Sequence, residues 1–189
     1  MYVQISPPEL RRDPSPAPAW SRVADPGDGA LATEQRVSLT VRPATIADMR
    51  TVEPLIRLFA ERNLMLVKSH DQLARNFREF VVAVDDQERV VGCGALRIYS
   101  EELAEVCSLA VDSALHGRGV GSLLVTRLIA EARALSLAKV FALTLNPGFF
   151  SHLGFRTVSK ADFPLKVWAD CRSCPKLHAC DEIAVAIEL

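Results

Sequence analysis

The stretch "VCSLAVDSALHGRGVGSLLVTRLIAEA", residues 106–132, constrains the fold more than any other part of the chain. An apolar run of strand character stops at Asp112 and glycines follow at alternate positions, Gly117, Gly119 and Gly121. Val120, Leu123, Leu124, Leu128 and Leu135 then recur at helical spacing. A strand, a glycine loop and a helix in that order require a sheet and a helical layer on it, which is an α/β arrangement. The same junction brings unpaired N–H groups and the positive end of a helix dipole into one small volume suited to a phosphate or pyrophosphate. Glycine keeps Cβ atoms away from such a ligand, and Arg118 and His116 can add charge or hydrogen bonds. A turn that needs glycine only for positive φ would use the same residue type. No Lys-Ser/Thr follows the last glycine as in a Walker A loop, and the G-x-G-x-G spacing departs from the dinucleotide fingerprint.

The flanking segments fill in a mixed α/β layout. Leu39 and Val41 mark a short strand, and Thr45 with Asp48 reads as a helix start for residues 46–62, where Met49, Val52, Leu55, Ile56, Phe59 and Ala60 share a face. Ser69 with Gln72 is a capping-box pattern that opens a second helix ending near Phe77. "EFVVAVDDQERVVGCGALRIYS" predicts an antiparallel hairpin, "AEVCSLAV" a third strand and "KVFALTL" a buried one. "PGFFSHLGF" predicts a short helix ending at Gly154, and "DEIAVAIEL" a last strand.

With 189 residues and a net charge of −1, the expectation is one domain with no general attraction for nucleic acid or anionic membranes. Residues 1–36 hold six of the eleven prolines and read as a flexible tail, leaving 37–189 as the folded domain. The lack of a signal peptide or membrane-spanning run points to a cytoplasmic protein whose five cysteines are reduced. "CRSCPKLHAC" groups Cys171, Cys174, His178 and Cys180, a Cys3His set whose ligands fall unusually close together for zinc. Reduced thiols in a loop or a redox pair are the alternatives, and the expectation is no metal in the chemistry.

Two motifs together resemble the GCN5-related N-acetyltransferases (GNAT). Their Q/R-x-x-G-x-G/A loop, which grips the pyrophosphate of acetyl-CoA, reads here "HGRGVG", and their Asn, aromatic pair and "LGF" read "NPGFFSHLGF". His116 stands in place of the usual Gln or Arg, and Phe150 where many members carry a tyrosine acid. The resemblance implies a central, mostly antiparallel sheet flanked by helices. It also implies acetyl-CoA as cosubstrate, held by Leu109, Val111, His116, Gly117, Arg118, Gly119, Val120, Gly121, Ser122, Asn146 and Phe150.

Within that superfamily, "VRPATIADMRTVEPLIRLFAERNLMLVKSHDQL", "AEVCSLAV" and "KVFALT" look like the acetyltransferase domain of N-acetylglutamate synthase. This implies acetyl transfer to the α-amine of glutamate or glutamine, the first step of arginine biosynthesis. Acetylation of another small amine, or a non-catalytic acyl-CoA sensor, would retain the same loop. The resemblance places the base at Glu105, and a backbone N–H near Leu109 would bind the oxyanion. Thr144 is the candidate donor to the departing thiolate. Lys68, Lys166 and Arg172 are the candidate cations for a substrate carboxylate. The expected partner is a small amino acid, with a homodimer as candidate assembly.

Overall fold

The computed structural model describes residues 38–163, 171–174 and 176–189; the expected N-terminal tail and Lys166 lie outside them. Seven strands form one sheet: β1 (Thr40–Pro43), β2 (Phe80–Val84), β3 (Val90–Ile98), β4 (Leu103–Val111), β5 (Lys139–Thr144), β6 (Arg156–Thr157) and β7 (Ile183–Glu188). Their order is β1-β2-β3-β4-β5-β7-β6, and every neighbouring pair is antiparallel except β4 and β5. A crossover helix, α3 (Val120–Ala134), makes that parallel pair possible. The mixed, mostly antiparallel sheet and its helical layers are those expected. The two-residue β6 is too short for any periodic signal and escaped sequence reading.

The helices sit where their apolar faces dictate. Leu124, Val125 and Leu128 of α3 pack on Val81, Leu96, Val106 and Leu109 on one side of the sheet. Helix α1 (Met49–Ala60) covers the other side, where Met49, Val52 and Ile56 meet Val82, Cys93, Cys107 and Ala110. A 3-10 turn, Ile46–Asp48, replaces the first turn of the helix expected from residue 46. Asn63 (φ 55°) ends it, with Leu64 N–H donating to Phe59 O at 3.0 Å across a left-handed cap. Helix α2 (His70–Arg75) opens on the Ser69–Gln72 capping box and yields at Asn76 to a 3-10 turn, Phe77–Glu79.

One irregularity in β4 decides which residues face which layer. Cys93 pairs with Ala110 and Ala95 with Cys107, so Ser108 and Leu109 together oppose Gly94, and Ser108 takes φ 53°. This is a β-bulge. It resets the alternation, so that Ala104, Val106, Leu109 and Val111 all face α3, while Cys107 and Ala110 face α1. The Cys93 thiol donates to the bulge carbonyl Ser108 O at 3.6 Å, and burial pushes that thiol up to about 12, keeping it protonated for the bond.

Candidate active site

β4 and β5 part company at one point. Their ladder runs Leu103–Lys139, Ala104–Val140, Glu105–Phe141 and ends there, although β5 continues to pair with β7 as far as Thr144. Beyond Glu105 the two parallel strands diverge, and the bulge at Ser108 lies within the diverging stretch.

The loop that follows β4 is pinned before it reaches its glycines. Asp112 accepts from Ala114 N at 2.9 Å, and the His116 ring lies with Nε2 2.9 Å from Val111 O. A carbonyl only accepts, so Nε2 carries the proton and donates. Gly117 (φ 75°) and Gly119 (φ 81°) are both left-handed, where a side chain costs about 1 kcal/mol. A Cβ at either would meet no heavy atom within 4 Å. The protein therefore demands glycine here for conformation, and the space beside the backbone is open.

Leu123 N–H donates to Gly119 O at 3.0 Å, the first intrahelical bond of α3. The amides of Val120, Gly121 and Ser122 precede it and lie outside the helical pattern. With His116, Gly117 and Gly119 they line a cleft of about 230 Å³ whose apolar wall is Val111, Leu115 and Phe149. Amide donors, a helix N-terminus and an apolar wall together suit an anion carried on an organic chain. The cleft lies on the α3 side of the sheet, since Val111, Val120 and Phe149 all belong to that core.

Glu105 faces the other way. Its side chain is fully buried, and the Tyr99 hydroxyl donates to Oε2 at 3.0 Å. Arg97 is its direct cross-strand partner on β3, with Nε 3.6 Å from Glu79 Oε2. Sequence reading missed Tyr99 and Arg97, although alternation in "ALRIYS" puts both on one side. What it lacked was the hairpin register that brings that side to Glu105.

Residues 47–155 match the acetyltransferase (GNAT) family. The chain belongs to this family. It is 40% identical over 145 residues to an uncharacterized N-acetyltransferase of Chlorobaculum tepidum, covering 77% of this chain and 93% of that one. It is 36% identical over 136 residues to the amino-acid acetyltransferase of Mycobacterium tuberculosis, covering 70% and 78% of the two. Its fold is similar to N-acetylglutamate synthase from Neisseria gonorrhoeae, solved with coenzyme A and N-acetyl-glutamate, with a TM-score of 0.72 and 25% identity. That likeness covers 82% of this chain and 36% of the longer synthase.

As a GNAT acetyltransferase the protein uses acetyl-CoA, and the amide-lined cleft fits a pyrophosphate. The remaining expected coenzyme residues divide. Arg118 is exposed and is not part of the cleft wall. Phe150 is fully buried, edge-to-face with Phe149 at 5.0 Å and with Phe155 at 5.1 Å, while Phe149 reaches the cleft. Asn146 caps the short helix α4 (Pro147–Ser151), accepting from Phe149 N at 3.2 Å. Leu109 puts its side chain into the α3 core.

Thr144 is buried, and its Oγ1 accepts from Asn146 N at 2.9 Å. Strand alternation sets it with Val140 and Ala142 on the α3 side, so the sheet separates it from Glu105. Lys68 is half-buried just before the Ser69 cap, on the α1 side. Arg172 is exposed on a 3-10 turn, Cys171–Ser173. Cys171 packs against the cluster of Phe141 and Phe163, and Cys174 against the α1 cluster, so this loop spans the Glu105 side of the sheet. Among the described residues, no three His, Cys, Asp or Glu side chains form a metal-holding group. The Cys180 thiol lies with Sγ 3.9 Å from Glu182 Oε2.

Proposed function

We propose that this chain is an amino-acid N-acetyltransferase that moves the acetyl group of acetyl-CoA to the α-amine of glutamate or glutamine, the first step of arginine biosynthesis in a cytoplasmic setting. Residues 37–189 would form the acetyltransferase domain. The relatives named amino-acid acetyltransferase and the N-acetyl-glutamate bound to the gonococcal synthase support the substrate class.

The observation that carries the reading is the fully buried Glu105 at the point where β4 and β5 separate. Acetyl-CoA, with its pyrophosphate on the glycine loop, reaches that gap from the α3 side, while the amine approaches from the α1 side. Glu105 takes a proton from the substrate ammonium, directly or through one water, and the freed amine attacks the thioester carbon. A β4 backbone N–H near Leu109, past the end of the ladder, donates to the oxyanion. The C–S bond breaks towards the α3 side, where the Thr144 hydroxyl is our candidate donor to the departing sulfur. Lys68, Lys166 and Arg172 are the cations proposed for the substrate carboxylates, and no step calls on a metal.

Release of coenzyme A thiol from acetyl-CoA, followed across a panel of amino acids and simple amines, tests the assignment. Turnover with glutamate or glutamine well above that with alanine, lysine or alkylamines is expected. Preference for an amine without a carboxylate would overturn it, and binding without turnover would make the protein a sensor.

A further inference from the structure

We propose that Tyr99 is a positioning residue for acetyl transfer, its hydroxyl holding the Glu105 carboxylate in place. The inference rests on the preceding reading of Glu105 as the base.

Three observations carry it. The hydroxyl donates to Glu105 Oε2 at 3.0 Å, and a phenol donates to a carboxylate far more strongly than to a carboxylic acid. The ring is itself held: it lies 5.7 Å from Phe141, which stacks on Phe163 at 4.1 Å with the rings 8° apart. Its backbone is tied at the hairpin end, Tyr99 N–H donating to Leu103 O at 2.9 Å. Phe141 is also the last β5 partner of Glu105, so the residue that steadies the phenol sits at the mouth of the gap.

Other charged or titratable groups share that surrounding. Arg97 lies across from Glu105 with Glu79 beyond it, Cys107 is two residues along β4, and Cys171 packs against the Phe141 cluster. Replacing a phenol by phenyl changes none of their charges. It removes one donor.

The test compares kcat and the KM for each substrate in the wild type, Tyr99→Phe and Glu105→Gln. Tyr99→Phe keeps the ring stack, so its melting temperature should stay close to wild type. Its kcat should fall about ten-fold with both KM values within about two-fold. The chain has two tyrosines, Tyr2 and Tyr99, so global 3-fluorotyrosine labelling is a second probe. The more acidic phenol is a stronger donor and should keep kcat at or above the wild-type level. A wild-type kcat for Tyr99→Phe, or a loss confined to thermal stability, overturns the inference while leaving an inactive Glu105→Gln to support the base. Full activity of Glu105→Gln would remove the base assignment, and the role of Tyr99 with it.

Discussion

Glu105 and Phe141 are the last residues paired between the two parallel strands, and the carboxylate therefore marks the point at which the sheet opens. The glycine-loop cleft lies on the α3 side of that opening, and Glu105 faces the α1 side. An acyl carbonyl lodged between the strands would present one side to an amine and the other to its leaving sulfur. On the proposed reading, sheet geometry, more than any single side chain, keeps the two substrates apart.

The glycine loop can be tested by separating conformation from charge. Gly119→Ala adds a Cβ to open space at φ 81° and should cost about 1 kcal/mol of stability while retaining acetyl-CoA binding. Gly119→Glu pays the same backbone cost and places a carboxylate beside the amides, so binding should fall by at least ~100-fold. Calorimetric titration with acetyl-CoA checks both; equal affinity for Gly119→Glu and wild type would exclude the anion site.

The aromatic pair in "NPGFF" should split into a binding residue and a core residue. Phe150→Ala empties a fully buried site between Phe149 and Phe155 and should destabilise by about 3–5 kcal/mol. Phe149→Ala removes part of the cleft wall, so the acetyl-CoA KM should rise several-fold with a smaller loss of stability. Denaturant melts and steady-state kinetics on both variants decide it.

How far the sequence led depended on the range of each interaction. The strand-glycine-helix unit and the boxes at Thr45–Asp48 and Ser69–Gln72 are local signals, readable within a few residues. The left-handed Ser108 is not, because no residue type there announces the bulge, and yet it sets the side on which Leu109 and Val111 lie. Phe149 and Phe150 could not be told apart from spacing, since a five-residue helix offers no period. Tyr99 and Glu105 meet through the register of β3 on β4, a pairing that neither segment reveals by itself.

Stability should respond to acid through Asp48. Arg42 donates to both carboxylate oxygens at 2.8 and 3.0 Å, and that bonding, against some desolvation, holds Asp48 at about 2. An unfolded aspartate titrates near ~3.9, so the lowered folded value contributes about 2 kcal/mol that is fully present above pH ~4 and is lost as pH falls towards 2. Asp48→Asn should therefore be less stable than wild type by roughly that amount at pH 7, with the gap closing in acid. A gap independent of pH between 7 and 2 would point to packing instead of the ion pair.

Lys68 tests the carboxylate contact. Lys68→Met keeps the aliphatic stem and removes the charge proposed to bond the substrate carboxylate, which should raise the amino-acid KM about ten- to a hundred-fold. The acetyl-CoA KM should hardly change, because the glycine loop is a separate element. Steady-state kinetics with each substrate varied in turn measures both, and equal effects on the two would make Lys68 structural.

The most direct measurement is the single-turnover rate of Glu105→Gln with saturating acetyl-CoA and glutamate, followed from pH 6 to 10. A fall of at least ~100-fold at neutral pH, shrinking as free amine becomes abundant at high pH and accompanied by unchanged acetyl-CoA affinity, is the expected result for loss of a general base. A wild-type rate and profile would contradict it and exclude Glu105 as the base.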